Sequence, residues 1–237
     1  MTSSESYIFL AVITALTLVA LIYLLSPKMS LLDDISNRGI QIRSRLWDLL
    51  ERHPYPDDHR SVWVAGSLAQ ALEHHEAIAL LIKRELTGSA FALVRPLVDT
   101  VMRALWINAV ACDQQVARAR DDGKKVFPPM KEMSEAVERA YRDDDLLQRM
   151  TAEWDAMCSY THSGARQLGR RFTGTDVKSS YAPGEIAEVL NLTNYGVLFL
   201  ARRFFMRTGH QPETDETRTM LLGYASEFGE RLQPTQG

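Results

Sequence analysis

The chain is poor in cysteine. Cys112 and Cys158 are the two in 237 residues, too few and too isolated for a disulfide framework or a zinc site. It also lacks an excess of charge. Lys and Arg number 27 against 30 Asp and Glu, a formal net charge of −3, so no global basic field points to nucleic acid. There is no internal repeat, low-complexity tract or lipidation motif. No His-x-x-x-His or Glu-x-x-His spacing occurs, so neither a metal nor a cofactor is expected. No stretch joins period-two alternation to hairpin turn chemistry, so no sheet is expected. Locally, residues 7–25 (YIFLAVITALTLVALIYLL) carry no charge at all.

That uncharged run is what the sequence has in place of a redox or electrostatic signature. Nineteen residues at about 1.5 Å each span roughly 28 Å, close to the hydrocarbon thickness of a bilayer. MTSSES before the run has no Lys or Arg, and SPKMSLL after it has no Ala-x-Ala pattern, so a cleaved signal peptide fits poorly. Lys28, Arg38, Arg43 and Arg45 follow the run and none precedes it, which places the N-terminus outside and the rest in the cytoplasm. The expected organisation is a short extracytoplasmic tail (1–6) and a single-pass inner-membrane helix (7–25). A juxtamembrane helix and break (26–58), a cytoplasmic helical bundle (59–232) and a tail (233–237) follow.

Apolar spacing makes the remainder all-α. Residues 30–52 carry a Leu/Ile stripe that HPYPDD ends, since Pro54 and Pro56 cannot continue a helix. A second helix spans 59–86, with Val62, Ala65, Leu68, Leu72 and Ala79 expected on its core face. After a joint at Thr87–Gly88 a third runs to about 111, an antiparallel hairpin in which Pro96 should lie near the first turn. Residues 112–128 read as a loop with a short helical piece. Helices follow at 129–141 and, capped by Asp143 or Asp144, to about 162. Residues 164–182 read as a basic, glycine-rich loop. The last two helices run from Pro183 to about 207 and from Thr214 to about 232.

Three groups of residues could carry chemistry. Arg95, Asp99 and Arg103 are four apart and share one face of an otherwise apolar helix, which suggests a partly buried Arg-carboxylate-Arg ladder. It reads either as a structural clamp or as a ligand or phosphate pocket. On the neighbouring helix His74 and His75 cannot face the same way, and either His75 with Ala79 or Glu76 with Leu72 and Ala79 approaches the core side. Glu76 could then reach an arginine of the ladder, and His75 reads as a satisfied core histidine or as a catalytic one. In CSYTHSGARQLGRRF (158–172), His162 precedes Gly164 at a helix C-terminus, with Arg166, Arg170 and Arg171 close behind. This is the best local candidate for contact with an anion or RNA, against a reading as a capped helix and a solvated loop.

The strings ALEHHEAIALLIKRELTGSAFALVRPLVDTVMRALW and CSYTHSG resemble an uncharacterised bacterial helical-domain family. The shared pattern is Gly-Ser-Ala, Arg-Pro, an acid, Arg-x-x-Trp and a later Tyr-Thr-His-Ser/Gly, over residues 30–210. Such bundles are distantly similar to the HEPN superfamily, known for ribonuclease toxins and helical modules of prokaryotic conflict systems. The HEPN nuclease signature, Arg and then His after four to six residues, is met by Arg52–His59 and Arg203–His210. For His162 the corresponding position 155 is Asp.

The fold expectation is therefore one transmembrane helix joined to an all-α, HEPN-like bundle. The run at 7–25 and the resemblance together imply a membrane-anchored interaction or effector module in bacterial stress or phage defence. Its sensing surface would lie between the hairpin 59–111 and the helix that ends at His162. Expected partners are the membrane, a homodimer mate or a protein encoded in the same operon. A second reading is a metal-independent ribonuclease, with His162 as acid/base and Arg166, Arg95 or Arg103 offsetting phosphorane charge. A third is an effector that disrupts membranes through residues 7–25.

Overall fold

The computed structural model describes residues 31–52, 54–121, 126–141 and 151–228. The run at 7–25 and the expected cap at Asp143–Asp144 lie outside them. Among the described residues no helix is long and apolar enough to cross a membrane.

The chain is mostly helical. Helix α1 (Leu31–Arg52) buries Ile35, Ile42, Leu46 and Leu49, and Pro54 follows close behind its end. Helix α2 (His59–Lys83) begins at Asp58, whose carboxylate accepts from the backbone N–H groups of Arg60 and Ser61, both at 3.0 Å. Its core face carries Val64, Leu68, Leu72 and Ile78, whereas Val62, expected inside, is 47 % exposed. Helix α3 (Thr87–Ala109) starts earlier than expected. The joint is Arg84–Leu86, closed by a left-handed Glu85 (φ 58°) and the bond from Leu86 N–H to Leu81 C=O, 2.8 Å. Pro96 therefore sits in the interior of α3 and not in its first turn.

Helix α4 (Asp113–Asp121) lies on α2, and α5 (Met130–Tyr141) and α6 (Trp154–Thr161) lie on α3. A short α7 (Ala165–Gly169) leads into a ribbon in the segment expected to be plain loop. Strand β1 (Phe172–Thr173) pairs antiparallel with β2 (Asp176–Val177), Phe172 opposite Val177. Gly174, at φ 64°, supplies the tight turn. Both strands are exposed throughout, so no alternation could have signalled them.

Helix α8 (Pro183–Thr208) is the central post, packed on α2, α3 and α9 (Gln211–Phe228). Pro183 opens it with Glu185 accepting from Ala182 N–H (2.8 Å), and Gly209 closes it at φ 77°. The core is made of Leu68, Leu72, Leu97, Met102, Phe204 and Phe205, all at most 1 % exposed.

Helix α1 is joined to this body by ions and by one close approach. Arg43 pairs with Glu76 (3.0 Å), Arg45 with Glu216 (2.8 Å) and Arg38 with Glu227 (3.6 Å). Gly39 faces Asn194 so closely that a Cβ there would lie 2.7 Å from its amide oxygen.

Candidate functional site

Along one face of α3 the residues at 92, 95, 99 and 103 succeed one another by about one turn. Each is met by a different partner. Asp99 accepts from Arg103 through both oxygens, Oδ1 from Nε at 3.0 Å and Oδ2 from Nη2 at 2.9 Å. The ladder thus closes on one side only. Arg95 has no carboxylate partner among the described residues. Its Nη1 instead lies 2.7 Å from His162 Nε2, and its guanidinium lies over the Trp154 ring, 5.1 Å from the centroid. Its Nε is buried and has no hydrogen-bond partner.

The Arg95–His162 contact fixes the state of the imidazole. Arginine can only donate, so His162 Nε2 must present its lone pair and carry its proton on Nδ1. His162 is the C-cap of α6, and its backbone N–H donates to Cys158 C=O (3.1 Å). Ser163 then turns left-handed at φ 52° and Gly164 N–H returns to Ser159 C=O at 2.7 Å. A Cβ on Gly164 would meet Ser159 Oγ at 2.5 Å, so the turn needs glycine.

Beside these residues opens a groove of about 630 Å³. Arg95, Asp99 and Arg103 form its floor, and Trp63, Phe127, Met133 and Trp154 are among its walls. Phe127 is wedged between Trp63 (5.7 Å) and Trp106 (5.6 Å), and Arg103 lies over its ring at 4.8 Å. Among the described lining residues, with the Asp99–Arg103 pair neutral, the net positive charge resides on Arg95. Aromatic walls around such a cation suit an anion joined to a flat apolar group. Among the described residues no cluster of three or more His, Cys, Asp or Glu could hold a metal.

The other sequence candidates lie elsewhere. Glu76 does not reach the ladder, because Arg43 of α1 takes it (3.0 Å). His75 is fully buried, its Nε2 2.6 Å from Asn194 Oδ1, and its Nδ1 has no partner. Asn194 Nδ2 donates to the Tyr224 hydroxyl (2.8 Å), which donates to Asn191. Burial lowers His75 to about 4, against the opposing pull of the Asn194 bond, with Arg43 adding to the fall. A histidine so buried is a core group of the α2–α8–α9 contact. Arg166 turns to Glu153 (3.7 Å) on the surface. Arg203 lies over the Tyr141 ring, and His210 lies 2.9 Å from Thr208 Oγ1 at the far end of α8.

Residues 68–230 match the model of a family of unknown function, DUF6988. The chain belongs to this family. No curated protein and no solved structure matches it. The segment matched by DUF6988 contains Arg95, Asp99, Arg103 and His162, while Trp63 and helix α1 lie ahead of it. Sequence reasoning missed Trp63, Phe127 and Thr161 as parts of the site. Trp63 and Phe127 stand on other segments and only packing brings them to the polar face, whereas for Thr161 the signal was Pro96, which leaves the Ala92 carbonyl in need of a donor.

Proposed function

We propose that this DUF6988 protein is a membrane-anchored, HEPN-like effector module that senses a phosphate-bearing ligand in the groove over α3. The observation that carries this reading is Arg95, a half-buried guanidinium held between Trp154 and the His162 imidazole, with no carboxylate in contact among the described residues. A cation without a counterion in a partly desolvated cleft attracts an anion strongly, and guanidinium matches phosphate geometry. The run at 7–25 supplies the tether, and the expected setting is stress or phage defence.

Calorimetric titration of the full chain in detergent with inorganic phosphate and with nucleoside phosphates tests the reading. Binding that weakens with salt and is lost in Arg95→Met supports it. Heats equal to those of Arg95→Met would dismiss it.

The 2.7 Å approach of Arg95 to His162 also favours a second reading, a metal-independent ribonuclease. Once a substrate phosphate draws Arg95 off the imidazole, His162 Nε2 would take the proton of a ribose 2′-hydroxyl, whose oxygen attacks phosphorus. Arg95 would offset the phosphorane charge, and the imidazolium would return the proton to the departing 5′-oxygen. Incubation with total RNA in chelator decides it. Cleavage abolished in His162→Ala is the expected result for a nuclease, and intact RNA after long incubation removes this reading.

A further inference from the structure

Pro96 stands in the tenth position of a 23-residue helix, where its missing N–H leaves the carbonyl of Ala92 without a helical donor. The Thr161 hydroxyl lies 3.1 Å from that carbonyl oxygen and 2.9 Å from Met157 C=O in its own helix. Met157 C=O is four residues back in α6 and already faces the backbone N–H of Thr161. Ala92 C=O lacks any such donor, so the hydroxyl proton does most at Ala92. A threonine bonded only to its own helix would be ordinary local back-bonding. One that also answers a carbonyl freed by proline on another helix is a tertiary anchor.

The two dipeptides that stand out in the sequence therefore cross-pair. Arg95 meets His162, and its neighbour Pro96 frees the carbonyl that Thr161, the neighbour of His162, takes up. Immediately after the imidazole the chain is clamped again by the Ser163–Gly164 turn onto Ser159. We infer that Thr161 is a positioning residue for the Arg95–His162 site, and that Pro96 acts through it by keeping the Ala92 carbonyl free. This rests on the anion-binding reading above, which gives His162 something to be positioned for.

The arrangement makes an unusual demand on Pro96→Ala. The new N–H would satisfy Ala92 within α3, so the helix should become as stable as before or more so. The site should nevertheless loosen, because Thr161 loses its hold. In the full chain, Pro96→Ala should keep or raise the unfolding midpoint while phosphate affinity falls roughly fivefold, the ratio that one net hydrogen bond is worth. Thr161→Val should fall similarly and Thr161→Ser should retain affinity. Selectively labelled histidine spectra give a readout independent of binding. The His162 ring resonances should move in Pro96→Ala and Thr161→Val, and stay as in the native chain in Thr161→Ser. Unchanged His162 spectra in Thr161→Val and Pro96→Ala would overturn the inference whatever binds. Absence of phosphate binding by the native chain would instead remove the anion reading, and a shifted His162 would still establish the positioning.

Discussion

Asp99 holds Arg103 by two bonds, at 3.0 and 2.9 Å, although Arg95 stands just as close along the helix in sequence. The pair is a local i,i+4 clamp of half-exposed side chains, so it adds under about 1 kcal/mol to stability. Asp99→Asn should leave the unfolding midpoint within a few degrees of the native value. It should also free a second guanidinium in the groove and tighten phosphate binding several-fold in calorimetry. Weaker binding would mean that Asp99 orients the ligand and does not merely occupy Arg103.

Arg95→Met keeps an unbranched side chain beside Trp154 and removes the charge. An uncompensated, partly desolvated cation contributes little to folding, so thermal unfolding should be unchanged or slightly raised. Phosphate affinity should fall by tenfold or more, since a charge-assisted bidentate contact is worth about 1.5–3 kcal/mol. A domain that unfolds on this change would make Arg95 a structural clamp.

His75 sets a pH dependence. Its folded value, about 4, lies below the ordinary 6.5, so the unfolded chain takes up a proton first as pH falls. The contribution is complete above about pH 6.5 and lost progressively between there and pH 4, reaching about 3 kcal/mol. Urea midpoints measured at pH 7 and 4.5 should drop steeply in the native chain. His75→Gln, which keeps a donor for Asn194 and cannot titrate, should flatten that difference.

Two glycines in helices should respond oppositely to alanine. At Gly39 the new Cβ would lie 2.7 Å from Asn194 Oδ1, an atom buried and already engaged by His75. Neither side can yield cheaply, and a loss of about 1–3 kcal/mol is expected in chemical unfolding. At Gly66 nothing lies within 4 Å of the new Cβ, so alanine should add up to about 1 kcal/mol through helix propensity.

Much of the fold was legible because its signals are local. The HPYP break after α1, Pro183 at the start of α8 and Gly209 at its end act through their own backbones. What escaped notice depends on distant partners. Pro96 was expected near a helix start, where a missing N–H costs nothing. The hydroxyl that serves the freed Ala92 carbonyl is 69 residues away. Spacing put Asp99 equally within reach of two arginines, and the turn of Arg95 toward His162 and Trp154 was a choice made by tertiary packing. Glu76 was likewise claimed by Arg43 from α1, a helix whose stripe was plain but whose docking site was not.

The buried amides of α8 also govern a choice far from themselves. Asn191 spends its NH₂ on Ala187 C=O, 2.7 Å away, and so turns its oxygen to Tyr224. Tyr224 has a single proton and must give it there, which leaves its oxygen to receive from Asn194. Asn194 can then show His75 only an oxygen, and the imidazole must keep its hydrogen on Nε2. One peptide carbonyl thus dictates the tautomer of a histidine on another helix. The chain of polar groups behaves as a one-way row of dominoes, which can reverse only if every member turns at once.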